Sequence, residues 1–277
     1  MKRIGLILKR NLGVKMEVVS EIVNSLKTFG AEIVMPEPGM KGTSVLYKSQ
    51  LFETVDMVLV LGGDGTLLSV ARECAKYDIP ILGLNFGHLG FLTEAENGES
   101  DFFNKIMSGE YDTETRMMLE IQVPNQGLEF YALNDAVVSV GSFSHIIDIS
   151  VHRQGEKVNN YRADGLIVAT PTGSTAYALS AGGPIVEPEA ELMLVVPICA
   201  HSLASRSVVI SPDQELGLKV SDPQRQDVLL TIDGQPGCRL TESDIVIVRK
   251  SKYTTKLIRM KNHSFFNILR KKLSEHE

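Results

Sequence analysis

The first hundred residues alternate between short apolar runs and segments with helical periodicity. The apolar residues between Val18 and Phe29 recur at helical spacing, and Gly30 follows at a place suited to ending that helix. Strand-like apolar runs lie at Ile4–Leu8, Ile33–Met35, Met57–Leu61 and Pro80–Leu84. Strands that alternate with helices are typical of a parallel sheet covered on both faces. The sequence therefore predicts an α/β domain at the N-terminus.

After about residue 100 the pattern changes to short runs rich in β-branched residues, separated by turn residues. These runs are Leu119–Val123, Ala136–Val140, Ile146–Val151, Val208–Ile210, Val228–Ile232 and Ile245–Val248. One helix is predicted among them, near Ser174–Ser180. The fold class is thus an α/β domain over residues 1–100 and a β-rich domain over residues 101–255. A helix is also predicted at Phe265–Leu273, and the segment 256–277 is free to pack back on the first domain.

Charge and cysteine content narrow the classes of partner and compartment. The net charge is −6, which disfavours a nucleic-acid partner because such proteins normally present a clustered basic surface. Three widely spaced cysteines without a CxxC motif are typical of a reducing compartment and argue against a disulfide framework. No apolar stretch approaches the roughly 20 residues that span a bilayer. We expect a cytoplasmic protein without a membrane partner.

The segment Gly62-Gly63-Asp64-Gly65-Thr66 follows a predicted strand and opens a predicted helix. Ligands of open α/β sheets bind at such carboxyl strand ends, and glycines with a helix start expose N–H groups that suit phosphate. A carboxylate beside phosphate needs a metal ion or a hydroxyl proton between them, which a kinase supplies. Alternatively, Asp-Gly marks a tight turn and Asp64 caps the helix. The segment alone leaves both interpretations open. Neither a P-loop motif nor a GxGxxG motif is present.

A second cluster of small polar residues extends from Arg162 to Pro184. It contains Asp164-Gly165, the run Thr170-Pro171-Thr172-Gly173-Ser174-Thr175-Ala176-Tyr177, and Ser180 before a pair of glycines. Hydroxyls and bare backbone amides suit a ligand rich in ribose, carboxamide and phosphate groups. The alternative is a Ser/Thr-capped helix followed by a close-packing turn. The density of small polar residues favours binding.

Two shorter signals have simple structural explanations. Asn134-Asp135 lies between apolar residues, which suits a turn at a strand start or a ligand to a ribose diol. Asp233-Gly234-Gln235 follows an alternating strand pattern and predicts a β-hairpin. On their own, both signals indicate structure more than ligand binding.

In combination, these segments resemble the NAD kinase family of the bacterial ATP-NAD kinase type. The 62–66 segment alone resembles a motif shared with phosphofructokinases and with diacylglycerol and sphingosine kinases. The resemblance becomes specific through Gly87-His88-Leu89-Gly90-Phe91-Leu92, Leu133-Asn134-Asp135, the block from Asp164 to Tyr177, Ser205-Arg206 and Asp233-Gly234-Gln235. These segments occur in the family's order over nearly the whole chain. The two-domain architecture of the family agrees with the predicted fold class.

The resemblance implies a reaction: transfer of the γ-phosphoryl group of Mg-ATP to the 2′-hydroxyl of the adenosine ribose of NAD. Asp64 would be the catalytic base and Gly65 would lie beside the nucleotide. The expected substrates are ATP and NAD, with Mg²⁺ as the divalent cation. The family also implies a homodimer or homotetramer with sites shared between subunits.

Further binding roles are implied by position within the family motifs. Asn134 and Asp135 would hold the adenosine end, whereas Arg162 and Asp164 would lie near the nicotinamide side, supplied by a neighbouring subunit. The remaining expected ligand contacts are His145, Thr175, Ala176, Tyr177, Ser180 and Gln235.

Two other functions stay open at this point. A lipid or sugar-phosphate kinase would share the 62–66 segment, but it leaves the block from Thr170 to Tyr177 unexplained. A nucleotide sensor without catalysis would require Asp64 to be idle within an intact motif.

Overall fold

The computed structural model describes residues 1–9, 16–36, 43–46, 48–86, 90–95, 102–141, 146–202, 205–221, 227–260 and 264–274. The chain divides into two compact units. The first unit comprises Met1–Thr115 and Thr255–Glu277, and the second comprises Arg116–Thr254.

Eighteen strands and six α-helices lie in the described ranges. In chain order they are β1 (Arg3–Leu8), α1 (Met16–Thr28), β2 (Glu32–Pro36), β3 (Ser44–Leu46), α2 (Lys48–Leu51), β4 (Met57–Leu61), α3 (Asp64–Lys76), β5 (Ile81–Asn85), β6 (Glu94–Ala95), α4 (Phe102–Ser108), β7 (Asp112–Val123), β8 (Leu128–Ala132), β9 (Asp135–Val140), β10 (Ile147–Arg153), β11 (Glu156–Ala163), β12 (Gly165–Ala169), α5 (Tyr177–Ser180), β13 (Met193–Ile198), β14 (Val208–Ile210), β15 (Leu216–Ser221), β16 (Val228–Ile232), β17 (Gln235–Arg239), β18 (Val246–Arg259) and α6 (Phe265–Ser274). Short 3-10 turns occupy Pro124–Gln126 and Thr172–Thr175.

The first unit contains a parallel sheet with the strand order β5-β4-β1-β2-β3. From β1 the chain moves outward through β2 and β3 to one edge. It then returns to the other side of β1 with β4 and β5. The strand order therefore reverses between β1 and β4, and such a topological switch point opens a crevice at the carboxyl ends of the two strands.

Helix α1 buries one face, formed by Val19, Ile22, Val23 and Leu26, in the core of the first unit. These four positions recur at the helical period, as the sequence pattern predicts. Gly30 has a φ of +88°, and the N–H of Ala31 donates to the Leu26 carbonyl. Only glycine adopts this left-handed conformation without strain, so the predicted end of the helix at Gly30 is confirmed.

Two segments outside residues 1–100 belong to the first unit. Helix α4 contributes Phe102 and Ile106 to its core, together with Ile258 from the end of β18. Helix α6 buries Ile268 and Leu269. The first unit thus continues past residue 100 to Thr115, because α4 completes its core.

The second unit is built from antiparallel strands. One sheet has the order β14-β13-β12-β9-β16-β17, and a further set pairs in the order β11-β10-β15-β18. Strand β12 is buried along its whole length, with Leu166 and Val168 in one core cluster and Ile167 and Ala169 in another. Alternate residues of a strand face opposite sides, so both faces of this sheet are covered.

The predicted helix at 174–180 forms only in part. Thr172–Thr175 is a 3-10 turn, and α5 begins at Tyr177. The Ser174 hydroxyl donates to the Val186 carbonyl and accepts from the Val186 N–H. Hydroxyl groups that bond the backbone compete with the helical pattern, so the predicted α-helix is confirmed only from Tyr177 to Ser180. Within the described ranges, no helix is long and apolar enough to cross a membrane.

Candidate active site

Asp64 is the first residue of α3 and follows the carboxyl end of β4, at the topological switch point of the first unit. The N-cap residue is Gly63, and it makes no side-chain capping bond. The alternative in which Asp64 caps the helix is therefore wrong. The carboxylate of Asp64, at the start of α3, points toward the loop that follows the carboxyl end of β5.

Four donors from that loop bind the Asp64 carboxylate. The N–H of Phe91 donates to Oδ2 at 2.9 Å. Oδ1 accepts the N–H of Leu92 at 3.2 Å, the N–H of Thr93 at 3.2 Å and the Thr93 hydroxyl at 3.0 Å. A carboxylate has about four lone-pair sites. Oδ1 is thus saturated, whereas Oδ2 has one acceptor site left with respect to the residues that the structure describes.

Glycines make this approach possible. A Cβ atom on Gly90 would lie 2.1 Å from Asp64 Oδ1, so any side chain at that position would displace the carboxylate. A Cβ atom on Gly62 would lie 2.7 Å from the Thr66 hydroxyl oxygen. Gly65 is exposed, and a Cβ atom added there would have no described atom within 4 Å, which leaves its backbone open to a ligand.

In the second unit, Asp233 and Gly234 form the two-residue turn of the β16–β17 hairpin. Their φ angles are +49° and +71°, as a type I′ turn requires, so the predicted hairpin is confirmed. The Asp233 carboxylate also accepts three consecutive backbone N–H groups, from Leu133 at 2.9 Å, Asn134 at 2.7 Å and Asp135 at 3.1 Å. It thereby fixes the bend that leads into β9.

The same bend is held from its other side by the start of the 170–177 segment. The Thr170 N–H donates to the Asn134 carbonyl at 2.9 Å, and the Thr170 hydroxyl donates to the Leu133 carbonyl at 2.6 Å. A Cβ atom on Gly173 would lie 2.1 Å from the Asn134 carbonyl oxygen. Only glycine permits this contact. The structure therefore brings the Asn134–Asp135 bend, the 170–177 segment and the Asp233 hairpin together.

Asp135 is a buried carboxyl group with a perturbed affinity for its proton. Burial, and then the negative charge of nearby Asp233, raise the pKa of Asp135 to about 7. Near neutral pH the side chain therefore exists in both forms. It accepts hydrogen bonds when ionised and also donates one when protonated.

The other expected ligand contacts in the second unit lie around this cluster or away from it. Thr175 closes the 3-10 turn, its hydroxyl donating to the Thr172 carbonyl at 3.2 Å, and Ala176 links the turn to α5. Tyr177 and Ser180 are exposed on α5. Gln235, also exposed, begins β17 and pairs with Ile232.

Arg162 and Asp164 lie elsewhere in the second unit. Asp164 precedes β12, whereas Thr170 follows it, a separation of about 20 Å at the rise of an extended strand. The Asp164 N–H donates to the Ile198 carbonyl, and the exposed Arg162 accepts the His201 N–H with its own carbonyl. One copy of the unit does not bring these two residues to Asn134 and Asp135. His145 lies outside the described residues.

Sequence reasoning missed two side chains that organise these sites. Thr93 donates to Asp64, and Asp233 anchors the Asn134–Asp135 bend, although Asp233 was interpreted as a turn residue alone. An acidic residue in the turn is a weak signal, since Asp-Gly suits the hairpin by itself. No sequence signal connects Thr93 with Asp64.

Comparison with known proteins identifies the family of the chain. Residues 4–111 match the ATP-NAD kinase N-terminal domain, and residues 133–260 match the ATP-NAD kinase C-terminal domain. The chain is 44% identical over 289 residues to an NAD kinase of Thermoanaerobacter sp. (strain X514), covering 99% of this chain and 100% of the relative.

Solved structures of two further proteins share the fold. Yeast NADH kinase in complex with NADH superposes with a TM-score of 0.87 at 24% identity, covering 99% of this chain and 88% of the yeast chain. An NAD kinase from Archaeoglobus fulgidus in complex with ATP gives a TM-score of 0.77 at 25% identity, covering 98% of both chains. The matches to both family domains and the match over the full length of an NAD kinase agree with each other. The chain belongs to the NAD kinase family of phosphotransferases.

Proposed function

We propose that this chain transfers the γ-phosphoryl group of ATP to the 2′-hydroxyl of the adenosine ribose of NAD, with Asp64 as the base. The observation that supports the assignment of Asp64 is its carboxylate at the switch point of a parallel sheet, held by four donors beside a helix start. The Archaeoglobus fulgidus NAD kinase was solved with ATP, which supports ATP as the donor.

In this mechanism Asp64 Oδ2 accepts the proton of the 2′-hydroxyl. Oδ1 is occupied by three donors, so Oδ2 is the oxygen with a remaining acceptor site. As the bond from the ribose oxygen to the γ-phosphorus forms, the bond from that phosphorus to its bridging oxygen breaks and ADP departs. The fixed orientation of the carboxylate means that little reorganisation is needed during proton transfer.

The phosphate charge would be stabilised at the start of α3. The first turn of this 13-residue helix exposes backbone N–H groups around Gly65, and its dipole places partial positive charge at the same end. These groups act on charge that develops during transfer, which is where electrostatic stabilisation lowers a barrier.

NAD would be held by the cluster in the second unit. Asn134 and Asp135 would contact the adenosine portion, and a protonated or ionised Asp135 suits a ribose hydroxyl or a base nitrogen. We infer that Thr175, Ala176, Tyr177, Ser180 and Gln235 line the same pocket, with His145 as a further contact. Support comes from the convergence of the Asn134–Asp135 bend and the 170–177 segment.

The divalent cation fits this reaction as part of the substrate. Among the described residues, no group of three or more His, Cys, Asp or Glu side chains could hold a metal ion. Mg²⁺ is commonly bound through substrate phosphates and one or two carboxylates. We therefore assign Mg²⁺ to the incoming Mg-ATP, where it would neutralise phosphate charge.

We further infer a cytoplasmic homodimer or homotetramer in which neighbouring subunits complete each other's sites. The separation of Arg162 and Asp164 from Asn134 within one chain supports this arrangement, because the partner copy would supply them. Light scattering would then give the mass of two or four chains of 30.4 kDa. A monomeric active enzyme would contradict shared sites.

The direct test is NADP formation from NAD and Mg-ATP by wild type and by the Asp64→Asn variant. We expect turnover to fall by about 10²- to 10⁴-fold, the usual contribution of a positioned base, with NAD binding retained. Asp56→Asn is the matched control, because Asp56 is an exposed carboxylate of the same unit that accepts the Arg3 N–H. That control should keep full turnover.

Each other outcome excludes one part of the proposal. Undiminished turnover in Asp64→Asn would show that Asp64 is not the base, although the proposed reaction would stand. Phosphorylation of diacylglycerol or fructose 6-phosphate in place of NAD would identify a different kinase. NAD binding without turnover from ATP or polyphosphate in the wild type would identify a nucleotide sensor.

A further inference from the structure

Arg259, the last residue of β18, is a buried cation in the first unit whose side chain is 8% exposed. Its guanidinium has four acceptors. Nε donates to the Glu114 carboxylate at 3.0 Å, and Nη1 lies 3.4 Å from the Glu94 carboxylate. Nη2 donates to the Phe91 carbonyl at 3.0 Å, and Nη1 to the Leu92 carbonyl at 3.4 Å.

The two carbonyls that Arg259 binds belong to the loop that holds Asp64. Phe91 and Leu92 each accept a hydrogen bond from Arg259 with the carbonyl and donate one to Asp64 with the N–H. The loop is therefore bound on one side by the guanidinium and on the other by the carboxylate. The two charged groups stand on opposite sides of the same stretch of backbone.

We propose that Arg259 is a positioning residue that sets the orientation of the Asp64 carboxylate through the backbone of residues 91–92. This inference rests on the proposed base role of Asp64. Arg259 touches neither substrate in this account, and its effect is exerted on the direction of the N–H groups that Asp64 accepts.

Guanidinium geometry explains why arginine is suited to this position. Its planar fork presents five N–H donors in fixed directions, so one side chain binds two carbonyls and two carboxylates at once. A lysine ammonium would keep the charge opposite Glu94 and Glu114, but its three donors on a flexible stem cannot reproduce that set. The Arg259→Lys variant therefore keeps the positive charge and removes the fixed set of hydrogen bonds that orients the backbone of residues 91–92.

The test measures kcat and KM for both substrates in Arg259→Lys, with melting temperature and NAD binding recorded in parallel. We expect kcat to fall about 10- to 100-fold, the scale associated with a small misplacement of a catalytic group, while both KM values stay near wild type. Arg249→Lys is the matched control. Arg249 lies on the same strand and pairs with Glu120 and Glu215 without a link to Asp64, so its kcat should not change.

A double variant distinguishes this proposal from the one on which it rests. If Arg259 acts through Asp64, Arg259→Lys should produce no further loss in the Asp64→Asn background. An equal loss in both backgrounds, or a change confined to melting temperature or KM, would overturn the positioning role alone. Full turnover in Asp64→Asn would instead overturn the base role.

A milder variant covers the case in which Arg259→Lys does not fold. Glu114→Gln keeps the side-chain shape at a carboxylate that is one-third exposed, and it weakens the Nε contact of Arg259. We expect kcat to fall about threefold, because the amide oxygen of Gln still accepts from Nε and only the charge of the acceptor is lost, with KM unchanged. In that case, an unchanged kcat in Glu114→Gln would overturn the proposal.

Discussion

Asp64 and Asp135 are carboxylates in two different environments. Asp64, in the first unit, is half-buried and accepts four hydrogen bonds from Phe91, Leu92 and Thr93. Asp135, in the second unit, is buried near a second carboxylate, and its pKa is raised to about 7. The backbone N–H groups of residues 133–135 donate to the carboxylate of Asp233 and not to that of Asp135.

The difference shows that the placement of backbone N–H groups decides what a carboxyl group does. Donors around Asp64 fix its direction and leave one oxygen able to accept a proton. Asp233 accepts the three N–H groups beside Asp135, and burial together with the negative charge of Asp233 makes Asp135 retain its proton to higher pH. One arrangement suits a positioned base, and the other suits a group that donates and accepts hydrogen bonds.

Among the variants that test the contrast between Asp64 and Asp135, removal of the Asp233 carboxylate should have the largest effect on stability and on NAD binding. Asp233→Ala leaves two buried N–H groups and one part-buried N–H group without their acceptor, so we expect the unfolding free energy to fall by about 3–5 kcal/mol. The KM for NAD should rise by about 100-fold, because the Asn134–Asp135 bend loses its anchor. Urea denaturation and steady-state kinetics measure the two effects.

Asp244→Ala is the control for Asp233→Ala. Asp244 is also buried in the second unit and accepts the Thr241 N–H and hydroxyl, but it lies outside the proposed NAD pocket. It should lower stability with little change in the KM for NAD. Equal KM values in the two variants would mean that the Asp233 contacts serve folding alone.

The raised pKa of Asp135 predicts a smaller effect on stability as pH changes. A folded-state pKa above the unfolded value stabilises the protein below about pH 4, and that contribution is lost as pH rises through about 7. The unfolding free energy of wild type should thus fall by about 3–4 kcal/mol relative to Asp135→Asn across this window, since a tenfold change in proton affinity is worth about 1.4 kcal/mol. Urea midpoints at pH 4, 5.5, 7 and 8 measure it. Parallel profiles for the two proteins would show that Asp135 titrates normally.

The smallest expected effect concerns one donor to Asp64. Thr93→Val removes the hydroxyl that binds Oδ1 and keeps the branched shape, whereas Thr93→Ser keeps the hydroxyl. With three amide donors remaining, we expect kcat to fall by about threefold to tenfold in Thr93→Val and little in Thr93→Ser. Equal losses in both variants would show that the Thr93 methyl group, which packs near Gly83, matters more than the hydrogen bond.

Local sequence signals predicted many elements because their causes are local. Strands β4, β14 and β16 have the bounds that the apolar runs indicate, and Gly30 ends α1 where the helical pattern stops. The predicted fold class is confirmed. Strand β11 was not predicted, since its pattern is mostly exposed and polar and its stability depends on pairing with β10.

The candidate site was predictable in its residue types and not in its contacts. Asp64 and Asn134–Asp135 were identified from motifs, and their functional roles remain proposals. The donors to Asp64 come from residues 27 to 29 positions away, and Arg259 is farther still. No periodicity or turn signal connects residues at such separations.

The sequence by itself determined the alternation of strands and helices, the position of the glycine-rich segment after β4, and the hairpin at Asp233-Gly234. These follow from hydrophobic period and backbone conformational preference, which act over a few residues. Only the tertiary structure decided which backbone amides meet which carboxylate. Within each unit, that assignment depends on strand order and on the close approach of distant loops, at Gly90 in the first unit and at Gly173 in the second, and it is fixed when the core of that unit packs.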